Sequence, residues 1–369
     1  MLMMKRTGRL IAFTAVIAFA IFAATFIIGC EDPGSYGEVE PTVLGRVAVT
    51  NSTSAPPADN PRHEIWKTAM TGAIMTSDSA FSDNPEDIDS IPIFIKAIKT
   101  GSTLYLRAEW GENVEVVRRT YSIWPNPIVH RLSVDTTGDT VVNVWLRRPS
   151  VDTTDTIRND QDRLAVMWDA GDNGAEGADC RSMCHDPANP SPSGNRMYTT
   201  GGGHVDVWHW MAATTDPVLL AQDEYWSAYG RGADEGTVSI FEANFDTLAS
   251  LPRWMNKDTT KPYIPFLHAD MTVAFDAARK WYNLDSIAGY VVHDDAAGSV
   301  ADVASYSMLN LSNRRWMVLM SRKLTTGNPD DRDFASIAPG DSILVTVAFM
   351  DNADRVHYGS RPFYVVFPK

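Results

Sequence analysis

One short segment of the sequence combines the residue types that bind cofactors and metals. Cysteine occurs three times in 369 residues, and two of the three stand four positions apart with histidine next, in Cys180-Arg181-Ser182-Met183-Cys184-His185. Cys-x-x-Cys-His attaches c-type haem, because the thiols add to the two vinyl groups and the adjacent imidazole becomes an axial iron ligand. Here one extra residue separates the cysteines. The segment predicts one covalent haem c held by Cys180, Cys184 and His185.

Two other interpretations of this segment stay open. In an oxidising compartment Cys180 and Cys184 would close a small disulfide loop, with His185 incidental. A zinc site would combine the same three residues with a later histidine, although the chain has no second pair of cysteines of the kind that builds a zinc ribbon.

The third cysteine ends a segment typical of export. Lys5, Arg6 and Arg9 precede an apolar run over residues 10–28, and Ile27-Ile28-Gly29-Cys30 resembles the lipobox of bacterial lipoproteins. We therefore predict a signal peptide over residues 1–29, acylation of Cys30 and a location outside the cytoplasm, periplasmic or at the cell surface. A signal anchor that spans the bilayer is the alternative.

Composition narrows the classes of protein. Residues 30–61 are rich in Pro, Gly, Ser, Thr and acid and predict a flexible tether, which leaves residues 62–369 as the folded domain. With 46 acidic against 32 basic residues and no basic run, the chain does not suit nucleic acid. Its 11 Trp, 12 Tyr and 14 Phe provide apolar surface that disordered chains lack.

Periodicity favours strands over helices. Residues 93–98 and 103–108 form two short apolar runs joined by Thr100-Gly101-Ser102, which predicts a hairpin. Helical spacing is weaker and fits residues 217–229 and 271–282 best. The pattern predicts an all-β fold, an antiparallel β-sandwich with a few short helices and long loops. The other predicted strands cover residues 141–146, 164–168, 316–320, 343–349 and 363–367.

The order of several sequence features resembles a known family, the haem-binding domain related to the gamma subunit of ethylbenzene dehydrogenase. The resemblance implies a β-sandwich that holds one haem at the sheet edge and passes electrons, with no substrate chemistry of its own. The matching pieces are Ile65-Trp66-Lys67, residues 104–110 (LYLRAEW), 162–168 (DRLAVMW), the Cys-His motif, 205–210 (VDVWHW), 316–327 (WMVLMSRKLTTG) and Asp351-Asn352.

The resemblance also suggests the sixth iron ligand. In the dehydrogenase subunit, a Met just before the Trp-x-Trp strand and a later Lys hold b-type haem, and the Met corresponds to Met197. Residues 304–308 contain no Lys, so His185 would take over that role. His204, His209 and Met308 are the alternative ligands, and Met197 could equally fill a gap in the core.

Four further residues are candidates for haem contact. Trp208 and Trp210 share one face of a strand, opposite His209, and would pack on the porphyrin or form ordinary core. Arg322 and Lys323 would pair with the propionates or lie on a solvated strand edge. The acid pairs at 294–295 and 330–331 lack the spacing of a calcium loop and are interpreted as solvated turns.

Together these features predict a lipid-anchored monohaem c-type cytochrome that carries electrons between redox partner proteins and is not itself an enzyme. Two alternatives remain. The chain would be the haem-bearing relay subunit of an exported molybdenum oxidoreductase, or a carbohydrate-binding surface lipoprotein with a Cys180–Cys184 disulfide.

Overall fold

Strands dominate the part of the chain that the computed structural model describes. This part comprises residues 42–77, 90–111, 129–137, 140–147, 161–170, 199, 203–249, 251–258, 266–279, 286–310, 315–350 and 357–369. All of it belongs to one unit, Pro41–Lys369. Cys30, Cys180, Cys184, His185 and Met197 lie outside the described residues.

The strands are β1 (Thr42–Leu44), β2 (Arg46–Asn51), β3 (Thr71–Ser77), β4 (Ser90–Lys99), β5 (Thr103–Gly111), β6 (Val129–Thr137), β7 (Thr140–Arg147), β8 (Arg163–Asp169), β9 (Val205–Met211), β10 (Leu220–Ser227), β11 (Gly230–Ala233), β12 (Gly236–Val238), β13 (Phe241–Ala243), β14 (Trp254–Asn256), β15 (Leu267–His268), β16 (Thr272–Ala274), β17 (Ser286–Ala288), β18 (Tyr290–Val292), β19 (Ala297–Gly298), β20 (Val303–Asn310), β21 (Arg315–Lys323), β22 (Ser342–Met350), β23 (His357–Ser360) and β24 (Phe363–Val366). The 3₁₀ helices of the described residues are η1 (Glu64–Thr68), η2 (Asp216–Val218), η3 (Ala269–Met271), η4 (Ser299–Ala301) and η5 (Phe334–Ser336).

Ten strands form a closed β-sandwich. They follow the order β22-β24-β2-β4-β5-β21-β20-β10-β9-β8, and β8 pairs back onto β22. Neighbours run antiparallel except at β2, which is parallel to both β24 and β4. The predicted all-β sandwich is confirmed, with β2 as its parallel exception.

The predicted hairpin and strands are present. β4 and β5 pair across the turn at residues 100–102, with Ile95 opposite Ala108. Their inward side chains alternate with outward ones, as the period of two requires. The predicted strands 141–146, 164–168, 316–320 and 343–349 fall within β7, β8, β21 and β22, and β24 covers 363–366.

Both helix predictions were wrong. The first segment is mostly β10, whose faces are both largely buried, so it lacks the polar-apolar alternation that marks a half-buried strand. In the second, residues 272–274 form β16 and pair with β14. Short-range spacing suggested a helix, but cross-strand pairing decides both places.

The sheet begins inside the predicted tether. β2 lies at residues 46–51, and its Val47 is fully buried in the core. Val47 pairs with Val365 near the end of the chain. The folded domain therefore includes residues that composition alone assigned to the linker.

Aromatic side chains fill one part of the interior. The ring centroid of Trp110 lies 5.5 Å from that of Phe349 and 6.2 Å from that of Trp210, while the rings of Trp210 and Trp316 are 5.0 Å apart. These rings come from four different strands of the sandwich. Each aromatic side chain of this kind buries roughly 150–250 Å² of surface, and this burial determines that Trp210 lies on the inward face of β9.

Candidate functional site

β9 is the element that positions most of the described candidates. Its seven residues are all buried, although they alternate between two sides of the sheet. Trp208 and Trp210 point into the main core, whereas Val205 and Val207 belong to a second apolar cluster with Met167. The alternation predicted for β9 is confirmed.

The two indoles are core residues. The ring of Trp208 lies 5.0 Å from Trp168 and 5.8 Å from Phe334. The Nε1 of Trp210 donates a hydrogen bond to Asp216 Oδ1 at 2.8 Å. Both indoles are fully enclosed and belong to the main core cluster, and their contact with a porphyrin stays a prediction.

Arg322 is buried among carboxylates. Its Nη2 lies 2.5 Å from Asp206 Oδ2, and its Nη1 lies 3.0 Å from Asp223 Oδ2 and 3.1 Å from Asp331 Oδ1. The guanidinium also lies 5.1 Å from the ring of Trp208. A solvated strand edge is therefore wrong for Arg322, and binding a propionate would require it to give up partners that it already has. Lys323 is exposed.

Asp331 corrects the interpretation of residues 330–331 as a solvated turn. It is only 8% exposed and shares the Arg322 cluster. One oxygen each of Asp206, Asp223 and Asp331 lie within 4.8 Å of one another, and Asp234 adds a fourth carboxyl, which hydrogen-bonds to Asp331. We call Asp206, Asp223, Asp234, Asp331 and Arg322 the carboxylate cluster.

Burial, together with the crowding of acids around one cation, raises the pKa values of Asp206, Asp223 and Asp234. Burial raises the pKa of Asp206 to about 6, against the opposing effect of Arg322. Burial and the neighbouring charge of Asp331 raise the pKa of Asp234 to about 8. Burial also raises the pKa of Asp223 well above its ordinary value. With a pKa of about 8, Asp234 therefore holds a proton at neutral pH that an exposed carboxyl would release.

A second polar group lies on the opposite face of β9. His209 is 3% exposed, and its Nδ1 lies 3.1 Å from Glu224 Oε1 on β10. Arg231 on β11 donates to both oxygens of Glu224, from Nε at 2.6 Å and from Nη2 at 2.6 Å. The Nη2 of Arg231 also lies 3.1 Å from Nδ1 of His209, and no group of the described residues hydrogen-bonds to its buried Nε2. We call His209, Glu224 and Arg231 the imidazole triad.

Electrostatics determine the charges of the imidazole triad. Burial raises the pKa of Glu224, but its partners outweigh this and bring it to about 2, so the carboxylate is ionised beside the cationic Arg231. Burial lowers the pKa of His209. The Nδ1 of His209 lies 3.1 Å from both Glu224 Oε1 and Arg231 Nη2, so the tautomer of the imidazole depends on which of these two partners it bonds.

The other described ligand candidates lie elsewhere. His204 lies before β9, with Nε2 3.8 Å from Asp330. Met308 is on β20, four residues and about 13 Å beyond Ala304, which pairs with Leu220 of β10. His209 pairs with Gln222 of β10, which lies along the strand in the opposite direction from Met308, as seen from Leu220. Met308 and His209 are thus too far apart to bind one iron.

The family described as ethylbenzene dehydrogenase matches residues 63–360, more than half of the chain. The chain belongs to the ethylbenzene dehydrogenase family. The match confirms the resemblance noted in the sequence, and both polar groups of β9 lie within the span that defines this ethylbenzene dehydrogenase-family domain.

Solved structures with a similar course of the chain are distant from this family member. One is a putative carbohydrate-binding protein from Bacteroides uniformis, with 7% identity, 87% of this chain and 89% of that chain covered, and a TM-score of 0.33. Another is a family 9 carbohydrate-binding module from Caldicellulosiruptor kristjanssonii in complex with cellotriose, with 9% identity, coverage of 86% and 83%, and a TM-score of 0.27. No curated protein matches the chain. Among the described residues, no helix has the length and apolar character needed to cross a bilayer.

The sequence analysis of this ethylbenzene dehydrogenase-family chain missed most of both polar groups. Asp206 stands between two valines of a strand, and Asp223-Glu224 interrupt an apolar run. A charged residue inside a strand of aromatic and β-branched neighbours signals a buried pair, because an isolated charge would not be tolerated there. That signal marks the residues but not their partners.

Proposed function

We propose that this chain is an exported, lipid-anchored electron-transfer protein that carries one covalent haem and has no catalytic activity of its own. Membership of the ethylbenzene dehydrogenase family over residues 63–360 is the observation on which the proposal rests. The motif at residues 180–185 refines it to c-type attachment through Cys180 and Cys184, with His185 as one axial ligand.

The described residues fit a haem protein. Within the described residues, the buried Nε2 of His209 has no hydrogen-bond partner, and its Nδ1 lies 3.1 Å from both Glu224 and Arg231. A carboxylate beside Nδ1 is common for imidazoles that bind metals. When bound, haem supplies a one-electron carrier whose iron alternates between ferric and ferrous states. The protein's part is to hold the imidazole neutral and oriented and to exclude water with the apolar residues of the second cluster.

Charge and anchoring support a carrier at a membrane surface. The chain has 46 acidic and 32 basic residues, and a net negative surface steers encounter with a partner that presents a basic patch. Acyl chains on Cys30 would keep the domain at the membrane without crossing it. The redox partners are proteins, and nucleic acid is not among them.

Expression with haem-attachment machinery tests the proposal. We expect a haem-stained band on a denaturing gel and pigment that resists acidified acetone. Replacing Cys180 and Cys184 together with Ala should abolish the stain, whereas Cys30→Ser should keep the stain and release the protein from the membrane fraction. A colourless wild-type protein would contradict the proposal.

Family membership also favours a second candidate, the haem-bearing relay subunit of an exported molybdenum oxidoreductase. In that case the protein would copurify with a catalytic subunit from its native host and would be reduced when the partner's substrate is added. Isolation as a free monomer that exchanges electrons with small soluble carriers would favour the independent cytochrome.

A further inference from the structure

Two neighbouring indoles of the aromatic core each donate a hydrogen bond to an aspartate. The Nε1 of Trp210 lies 2.8 Å from Asp216 Oδ1, and the Nε1 of Trp316 lies 3.1 Å from Asp162 Oδ2. The two rings are fully buried, and their centroids are 5.0 Å apart with an angle of 65° between the ring planes. We call Trp210, Trp316, Asp162 and Asp216 the indole–carboxylate site.

The sheet holds the indole–carboxylate site in place. Trp210 is on β9 and Trp316 on β21, while Asp216 begins η2 and Asp162 directly precedes β8. The backbone oxygen of Asp162 also accepts a hydrogen bond from Ala212 N at 3.0 Å, which ties it to the end of β9. The two donors and their acceptors are therefore fixed by strand pairing before any reaction occurs.

Asp216 is arranged to accept a proton. Its Oδ1 accepts the hydrogen bond of Trp210, and its Oδ2 accepts one from Ser307 Oγ at 2.8 Å. Two accepting oxygens are the arrangement of an ionised carboxylate. Burial raises the pKa of Asp216 against the opposing effect of these two hydrogen bonds, so it takes up a proton more readily than an exposed aspartate does.

This arrangement suits the chemistry of indole oxidation. An indole that loses one electron becomes a radical cation, and its N–H is then far more acidic than in the neutral ring. If the proton passes to a hydrogen-bonded carboxylate as the electron leaves, the products are a neutral radical and a neutral carboxyl. The core then loses a buried negative charge and gains no positive one, which a low-dielectric interior favours.

We infer that Trp210 is a redox-active residue that gives one electron to a strong one-electron oxidant, an oxygen-centred radical or a high-potential metal complex, and its Nε1 proton to Asp216. The N–H bond of Trp210 breaks, an O–H bond forms on Asp216 Oδ1, and the oxidant is reduced by one electron. A one-electron donor reverses the step. The inference does not depend on the proposed function and adds to it a place within the protein that holds an oxidising equivalent.

A second pair of indoles shows that close packing alone does not create such a site. The rings of Trp168 and Trp208 are also 5.0 Å apart and fully buried. However, no group of the described residues accepts a hydrogen bond from the Nε1 of either indole. The guanidinium of Arg322 lies 5.1 Å from the ring of Trp208, where its positive charge opposes formation of a radical cation.

The test oxidises the full-length protein with a photogenerated ruthenium(III) polypyridyl complex. Freeze-quench electron paramagnetic resonance reads the organic radical, and ring-deuterated tryptophan identifies signals that belong to indoles. We expect a long-lived indolyl radical in wild type and loss of most of it in Trp210→Phe. Trp168→Phe, at an equally buried indole without a carboxylate partner among the described residues, is the matched control and should keep the signal.

Asp216→Asn gives a second readout. Its amide oxygen can still accept the hydrogen bond of Trp210 but is a far weaker base than a carboxylate. We expect wild type to form the radical more slowly in deuterated water, because a proton moves with the electron, and we expect Asp216→Asn to lose this isotope effect and form a shorter-lived radical. If Trp210→Phe does not fold, this comparison decides the question.

Three results would overturn the inference: a long-lived signal of wild-type size in Trp210→Phe, an equal loss in Trp168→Phe, or an unchanged isotope effect in Asp216→Asn. Failure of the proposed function looks different, because the protein would then show no Soret absorption. The radical is formed and measured without haem, so that result would leave the expected indolyl signal unaltered.

Discussion

Asp234→Asn should make the protein more stable at alkaline pH. The Oδ2 of Asp234 accepts a hydrogen bond from Asn328 Nδ2 at 2.6 Å, and the protonated carboxyl hydrogen-bonds to Asp331. An asparagine keeps the acceptor for Asn328. Its amide can also donate to Asp331 at any pH, so it replaces a carboxyl that must hold its proton to do the same.

The sign and size follow from the pKa. Burial raises the pKa of Asp234 from 3.8 to about 8, so the folded state binds a proton that the unfolded chain releases above about pH 4. Wild-type stability from this group is complete below pH 4 and is lost as the pH rises to about 8. The full shift corresponds to about 5–6 kcal/mol at 1.36 kcal/mol per unit. Solvent screening and relaxation of the coupled carboxyls should leave about 1–3 kcal/mol.

Chemical denaturation at pH 5 and at pH 8.5 measures this difference. We expect the free energy of unfolding of Asp234→Asn to exceed that of wild type by about 1–3 kcal/mol at pH 8.5 and by roughly a third of that amount at pH 5, because most of the wild-type loss occurs between these two pH values. Asp295→Asn, at a side chain that is 79% exposed, should have the same free energy of unfolding as wild type at both pH values. A difference that does not depend on pH, or a variant less stable than wild type at pH 8.5, would refute the assignment of a protonated Asp234.

Two further substitutions test the packing around β9. Arg322→Met should lower the free energy of unfolding by about 3–5 kcal/mol, because it leaves Asp206, Asp223 and Asp331 without their shared cation. The control is Arg253→Met, at an arginine half exposed beside Glu242, which should change the free energy of unfolding little. Equal effects of the two substitutions in a denaturation titration would contradict the buried role of Arg322. Trp210→Phe should cost about 1–3 kcal/mol, since it removes the hydrogen bond to Asp216 and leaves a small cavity; a thermal midpoint equal to that of wild type would show that this bond contributes nothing net.

The sequence predicted the fold where one face of a strand is polar. β4 and β5 alternate cleanly around Thr100-Gly101-Ser102, so their hairpin could be recognised from local pattern alone. β10 could not, because Glu224 and Trp226 on one face are as buried as Asp223 on the other. A strand that is covered on both faces lacks the alternation of polar and apolar residues, and two charged residues within it give a sequence pattern similar to that of a surface helix.

The candidate site was predictable only as single residues. The period of two is enough to place His209 on the opposite face of its strand from Trp208 and Trp210. Its partner Glu224 is fifteen residues away, and the partners of Arg322 are up to 116 residues away. Such distant contacts depend on which strands become neighbours in the closed sheet, which local sequence does not encode.

The parallel pairing of β2 with β24 has a consequence for how the chain matures. Arg46 lies beside Tyr364, so the sandwich cannot close until β24 has been synthesised. Contacts of such long range form late and slowly. Residues 46–51 must therefore wait, as an unpaired strand on this side, until the end of the domain has been synthesised.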